Sequence, residues 1–270
     1  MAAIPNVATA TAGDSETAVS TPRSGAVQSV ARVFELLEII ADAGGDISLS
    51  DLALKSALPI PTIHRLLRTL VGVGYVRQLP SRRYALGARL IRLGEGASGQ
   101  LGAVAQPVLV GLVEELGETA NMAMQDGDYI VYVAQSPSPH SMRMFTEVGR
   151  RAHMHATGVG KAILSMLSDD AARGIVDRVG MPVPTRKSLG NVDALLANLS
   201  LIRNNGYALD DEEQELGVRC YAVPIPNTPT PMAVSVSGPL ARVDHGFADR
   251  AIPVLRSAAM EISSRINAAA

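Results

Sequence analysis

Three observations predict an α+β protein in two parts. Apolar residues recur at helical spacing in three successive segments between residues 27 and 74, and two short β-type runs around a Pro-Ser turn follow them. From residue 119 onward strands and helices alternate, with hairpin signals at Asp126-Gly127-Asp128 and at "PNTPTP". The charge divides along the same line. Residues 24–95 hold nine Lys/Arg against six Asp/Glu, and residues 96–270 hold 14 against 18. A mildly basic front joined to an acidic back implies different partners for the two parts.

The first 23 residues are rich in Ala, Thr and Ser and lack the basic start and apolar core of a secretory leader, so 1–23 reads as a disordered tail. In "VQSVARVFELLEIIADAGG", Val30, Val33, Leu36, Leu37 and Ile40 mark the inner face of a helix that Gly44-Gly45 ends. Ser48 caps the next helix, with Asp51 three residues on as its capping-box partner. Pro61 suits the first turn of a third helix, whose inner face is Ile63, Leu66, Leu67 and Leu70. Tyr75 to Gln78 and Arg83 to Leu86 then make a hairpin. Three helices and a hairpin in this order are the layout of a winged helix-turn-helix, assigned to 24–87.

Such a unit lays its third helix in the major groove of DNA. The outward positions here are Thr62, His64, Arg65, Arg68 and Thr69, and Arg65 and Arg68 are helical neighbours. Ser48 joins this DNA-facing set, and Arg77, Arg82 and Arg83 stand on the wing, where phosphates would be met. The plainer alternative is a helical hairpin with a solvated arginine rim. A basic wing at the right distance from the helix favours double-stranded DNA.

Residues 88–105 read as a linker helix broken by glycines, and 106–270 as the second domain. There "TANMAMQDGDYIVYVAQ" is a hairpin and "SMRMFTEV" a strand. Gly160 to Met166 is a helix, Ser168 caps another through Val179, and Gly206 closes a third. "VRCYAVPI" and "MAVSVSG" form a second hairpin, and Asp249 to Ala268 a last helix with Pro253 near its start. This order predicts an antiparallel sheet with helices packed on it. The single cysteine, Cys220, leaves no internal disulfide framework and fits a reducing cytoplasm. No apolar run approaches the roughly 18 residues of a membrane helix, so a membrane is not an expected partner.

"HATGVGKAIL" raises the question of a phosphate loop. Counting back from Gly160, the first glycine of that motif is replaced by His155, and its magnesium-holding hydroxyl by Ala162. The nucleotide reading fails on both. Gly158-Val159-Gly160 instead opens a helix, where unpaired N–H groups attract a small anion and glycine allows close approach. Glycines that only ease helix–sheet packing are the alternative. Ser235 and Ser237 share one face of their strand, as do Val218 and Cys220 on theirs.

"SVARVFELLEII", "SLSDLALKSALPIPTIHRLLRTLVGVGYV" and "RRYALGARLIRLG" resemble the amino-terminal half of IclR-type transcriptional regulators. "HMHATGVGKAIL", "NNGYALDDEEQELGVRCYAVPI" and "AVSVSGP" resemble that family's carboxy-terminal effector domain, which has a GAF-like fold. The resemblance implies an amino-terminal winged helix-turn-helix, a linker helix and a GAF-like effector-binding, oligomerising α/β domain. It implies a cytoplasmic, homo-oligomeric (dimer or tetramer) DNA-binding regulator of an inverted-repeat operator. Repression of a metabolic or catabolic operon is favoured. It also places the effector at Gly158, Val159, Gly160, Asp210, Cys220, Ser235 and Ser237.

With three Phe, six Tyr and no Trp, the composition favours a small oxo or hydroxy carboxylate, of the pyruvate or glyoxylate kind, over an aromatic acid. Met142, Met144 and Met154 would supply an adaptable wall. Three alternatives stand beside this reading. One is an activator answering to an aromatic acid. Another is a zinc-dependent sensor using His153, His155 and Cys220. The last is an enzyme with Cys220 as nucleophile and His155 or His153 as base. No orienting third residue accompanies that pair, so no catalytic residue, cofactor or metal is assigned.

Overall fold

The computed structural model describes residues 27–98, 102–144 and 146–269. The expected tail at 1–23 lies outside the described residues. Helices α1 (Gln28–Asp42), α2 (Leu49–Ser56) and α3 (Ile60–Gly72) precede an antiparallel hairpin of β1 (Val76–Gln78) and β2 (Tyr84–Leu86). Ser48 caps α2: its Oγ accepts from the Asp51 N–H at 3.1 Å and donates to the Asp51 carboxylate at 2.7 Å. Leu36, Ile40, Leu52, Ile63, Leu67, Leu70, Val76 and Tyr84 form the core of this unit. Val30 departs from the expected inner face. It is 51% exposed and Phe34 60%, because the first turn of α1 is exposed throughout and offers Val30 nothing to pack on.

Helix α4 (Arg89–Ser98) follows, then α5 (Gly102–Leu116). The connector expected at 88–105 ends early. Ala105 is wholly buried, and with Val108, Leu109 and Leu112 it belongs to the core of the second part.

That second part is a six-stranded antiparallel sheet. Its strands are β3 (Thr119–Asp126), β4 (Tyr129–Ser136), β5 (Arg151–His153), β6 (Ala208–Asp211), β7 (Val218–Ile225) and β8 (Met232–Pro239). They are ordered β5-β4-β3-β8-β7-β6. Helices α6 (Gly158–Ser165), α7 (Asp169–Val179), α8 (Val192–Asn205) and α9 (Phe247–Ala269) complete it. Helices α5 and α9 cover one face, where Met122, Tyr221, Val223, Val234 and Val236 supply bulk. The other face is covered by α6 and its neighbours and is built of small residues, Ala123, Ala222 and Ala233, which let α6 come close. Ser168 and Asn191 cap α7 and α8, and Gly206 ends α8 in the left-handed conformation at φ 73°.

"SMRMFTEV" is not a strand in its described residues; the edge strand is the three-residue β5 beyond it. Side chains take the carbonyls that a ladder would need. Arg242 donates to the Met142 carbonyl at 2.8 Å and Thr119 to that of Met144 at 3.2 Å. Among the described residues no helix is long and apolar enough to cross a membrane.

Candidate DNA-facing surface and ligand pocket

Helix α3 buries Ile63, Leu67 and Leu70, which turns His64, Arg65, Arg68 and Thr69 outward, with Thr62 half-buried at the rim. Thr69 spends its hydroxyl on the Arg65 carbonyl at 3.1 Å, and Ser48 shares its own with Asp51. His64 and Arg68 meet Gln78 and Tyr84 of the hairpin across a cleft of about 240 Å³. Arg77 and Arg82 are exposed on the hairpin. Arg83 differs from them. Its guanidinium pairs with the Asp46 carboxylate and also donates to the Asp46 carbonyl at 3.1 Å, tying the wing to the turn before α2.

In the second part, the strand register lines up the ligand candidates. Asp210, Cys220, Ser237 and Thr119 are paired neighbours across β6, β7, β8 and β3. The next row on the same face is Ala208, Ala222, Ser235, Asn121 and Gln135. Two rows of hydroxyl, thiol, amide and carboxyl groups therefore sit on a sheet face whose other residues are largely alanine, with Ile130 and Tyr132 on β4. The start of α6 lies directly over them. A Cβ at Gly158 would come 2.8 Å from the Cys220 sulfur, so only glycine lets the helix settle there. The face is almost closed: Ser235 is 1% exposed, Ser237 6% and Cys220 7%. One of the proposed wall methionines is elsewhere. Met142 is 72% exposed, whereas Met154 is buried in the core beneath α6 and Met144 is half-buried.

The glycines divide between the two expectations. The Gly160 N–H is already used by the Thr157 cap at 3.1 Å, and a Cβ there would lie 2.3 Å from the Met154 carbonyl oxygen. Gly160 is thus a packing glycine, and only the N–H groups ahead of it can face a ligand. Lys161 points away into the interior. Wholly buried, it donates to Glu213 at 2.5 Å and to the Leu209 carbonyl at 2.6 Å.

Asp210 accepts the Glu213 N–H at 2.8 Å, which fixes the acidic turn after β6. Burial, then the Glu213 charge, raises its pKa to about 7, against the pull of that N–H and of Lys161. Burial and Asp210 push the Cys220 thiol up to about 12, despite hydrogen bonds with Ser237 and Ser235. A thiol in that state is no nucleophile at neutral pH. His153 and His155 are held below the usual histidine range chiefly by burial, and the His155 Nε2 is committed to the Pro182 carbonyl at 2.9 Å. Among the described residues no three His, Cys, Asp or Glu side chains converge as a metal site would require.

Residues 29–80 match the IclR helix-turn-helix domain, and residues 97–264 match the bacterial transcriptional regulator IclR C-terminal domain. The chain belongs to the IclR family. It is 38% identical over 229 residues to the transcriptional repressor IclR of Escherichia coli K12, covering 82% of this chain and 84% of that protein. An IclR transcriptional regulator from Alicyclobacillus acidocaldarius superimposes with a TM-score of 0.78 at 25% identity, over 89% of this chain and 99% of that one. An IclR homolog from Microbacterium hydrocarbonoxydans, complexed with 4-hydroxybenzoate, has a TM-score of 0.76 over 89% of this chain and 99% of that one. At 23% identity it attests the fold alone. The relatives are DNA-binding transcription regulators and not enzymes.

The two polar rows also contain groups that sequence reasoning missed. Thr119, Asn121 and Gln135 lie in the same two rows, and Gln135 donates to the Asn121 side-chain oxygen at 3.1 Å. Alternation along "TANMA" marks Thr119 and Asn121 as one face, but nothing local says that the face adjoins Ser235 and Ser237.

Proposed function

We propose that this IclR-family chain represses a metabolic or catabolic operon and is controlled by a small oxo or hydroxy carboxylate. Acting on an inverted-repeat operator places it in the cytoplasm. Its DNA contacts are made by His64, Arg65, Arg68, Thr62 and Thr69 of α3 and by Arg77 and Arg82 of the wing, while Ser48 and Arg83 hold the frame. The observation that carries the effector reading is the pair of polar rows on an alanine-lined face beneath α6. These groups already pair locally, Gln135 with Asn121 and Asp210 with the Glu213 N–H, and a compact ligand with several oxygens finds both donors and acceptors among them. Repression follows the name of the E. coli relative. The near closure of the face favours a compact ligand over a ring.

The test is calorimetric titration of the full chain with glyoxylate, pyruvate, their hydroxy counterparts and 4-hydroxybenzoate. Ser235→Ala and Ser237→Ala should each cost on the order of 1 kcal/mol of affinity, with operator affinity in the absence of ligand unchanged. Binding of the aromatic acid alone would favour the other effector class, and binding unmoved by both substitutions would place the site elsewhere.

The operator's symmetry calls for a dimer or tetramer. Val27 just ahead of α1 and Val30 and Phe34 on it form an exposed apolar stripe, and Ile91 and Leu93 expose more on α4. A second copy is the partner this reading assigns to them. Phe34→Asp should shift the sedimenting species toward monomer and abolish paired half-site protection in a footprint. A Phe34→Asp protein that keeps both its mass and its footprint would remove α1 from the interface.

A further inference from the structure

We propose that Tyr132 is a specificity-determining residue of this pocket, its hydroxyl donating to an effector oxygen from the side opposite Ser237 and Cys220. The inference rests on the effector reading above and deepens it. Tyr132 stands on β4 opposite Ala123, and so on the alanine-lined face of the sheet that α6 covers. Tyr132 lies in the Ala123–Ala233 row, so the Asn121–Ser235 row is next to it and the Thr119–Ser237–Cys220 row lies one further on. The tyrosine side chain is long enough to reach over the neighbouring Asn121–Ser235 row. Asn121 and Ser235 thus form the floor between the phenol and the Ser237–Cys220 row, a span that suits a ligand of a few heavy atoms held at both ends.

The state of the phenol agrees with a lining role. Among the described residues no protein group bonds its hydroxyl, which leaves it available to a ligand. The residue is half-buried and packs against the core beneath α6. Burial is the first cause that drives its ionisation well above the usual tyrosine range. Cys220 and Asp210 act in the same direction from across the face, and Arg150 against them. Tyr132 is therefore a neutral donor at every working pH, suited to an anionic or carbonyl oxygen and not to a cation. The ligand class this selects is a short acid with oxygens at both ends, one toward Tyr132 and the other toward the serine and cysteine rows.

Tyr132→Phe keeps the ring and its packing and removes only the hydroxyl, so a purely structural role leaves ligand affinity unchanged. Titration of wild type and Tyr132→Phe with glyoxylate, pyruvate, malate and 4-hydroxybenzoate should show a five- to tenfold weaker Kd in the variant for the short acids. The melting temperature without ligand and the operator affinity should match wild type. A second variant, Tyr132→Val, clears the gap and should move preference toward the larger 4-hydroxybenzoate. If wild type binds a short acid and Tyr132→Phe binds it equally well, the assignment of Tyr132 is wrong while the pocket stands. If wild type binds none of the four, the effector reading fails and Tyr132 loses its role with it.

Discussion

Replacing Arg65 and Arg68 together with alanine is expected to weaken specific operator binding about thirtyfold or more while the protein melts as wild type. Both guanidinium groups project from the exposed side of α3, three residues apart, opposite the buried Ile63, Leu67 and Leu70. A lost base contact costs about 1–3 kcal/mol and relaxes specificity at one position, whereas a lost phosphate contact weakens all sequences alike and reduces the salt slope by about one. Binding isotherms on operator and on scrambled duplex at several salt concentrations separate these roles. Arg83→Ala provides the contrast. Because Arg83 is bound to Asp46, its removal should lower stability more than it alters sequence preference. Wild-type operator affinity in the Arg65/Arg68 double variant would show that this face of α3 does not enter the groove.

Which parts of this structure are legible in the sequence follows from how local their causes are. Ser48, Ser168 and Gly206 act on backbone groups within a few residues, and each does what its position predicts. The β7–β8 hairpin and the shared face of Ser235 and Ser237 follow equally from short-range pattern. Long-range pairing is different. Strand β8 comes to lie beside β3, which brings Thr119 and Asn121 to the serines, and no periodicity in either strand encodes that register. Partner choice hides in the same way: Arg83 reads as a free wing cation until Asp46 is seen beside it. The 141–148 segment fails for a related reason, since remote Arg242 and Thr119 take its carbonyls. Gly160 shows the limit of motif reading, because a glycine pressed against Met154 and one left open for a ligand look alike in one dimension.

Lys161→Met is expected to destabilise the protein by about 3–5 kcal/mol, the cost of leaving one member of a buried ion pair without the other. Lys161 is wholly buried and Glu213 nearly so, and their contact joins α6 to the turn that follows β6. The Leu209 carbonyl loses a donor as well. Among the described residues the second, buried Glu213 oxygen has no hydrogen-bond partner of its own, so the carboxylate leans on the lysine. Burial already raises the Glu213 pKa, and the Lys161 charge is the main influence opposing it. Without that charge the folded pKa climbs further above the unfolded one. A carboxyl raised in this way favours the folded state fully only below its unfolded pKa, and that contribution fades as pH rises toward the folded value. The variant should thus lie nearest wild type around pH 5 and fall away from it toward pH 8. Adding Glu213→Gln to Lys161→Met should recover much of the loss at pH 8, because a neutral amide removes the stranded charge. Chemical denaturation of the three proteins at both pH values reads this directly. A Lys161→Met deficit that is equal at pH 5 and pH 8, and untouched by Glu213→Gln, would mean that the lysine acts by packing alone.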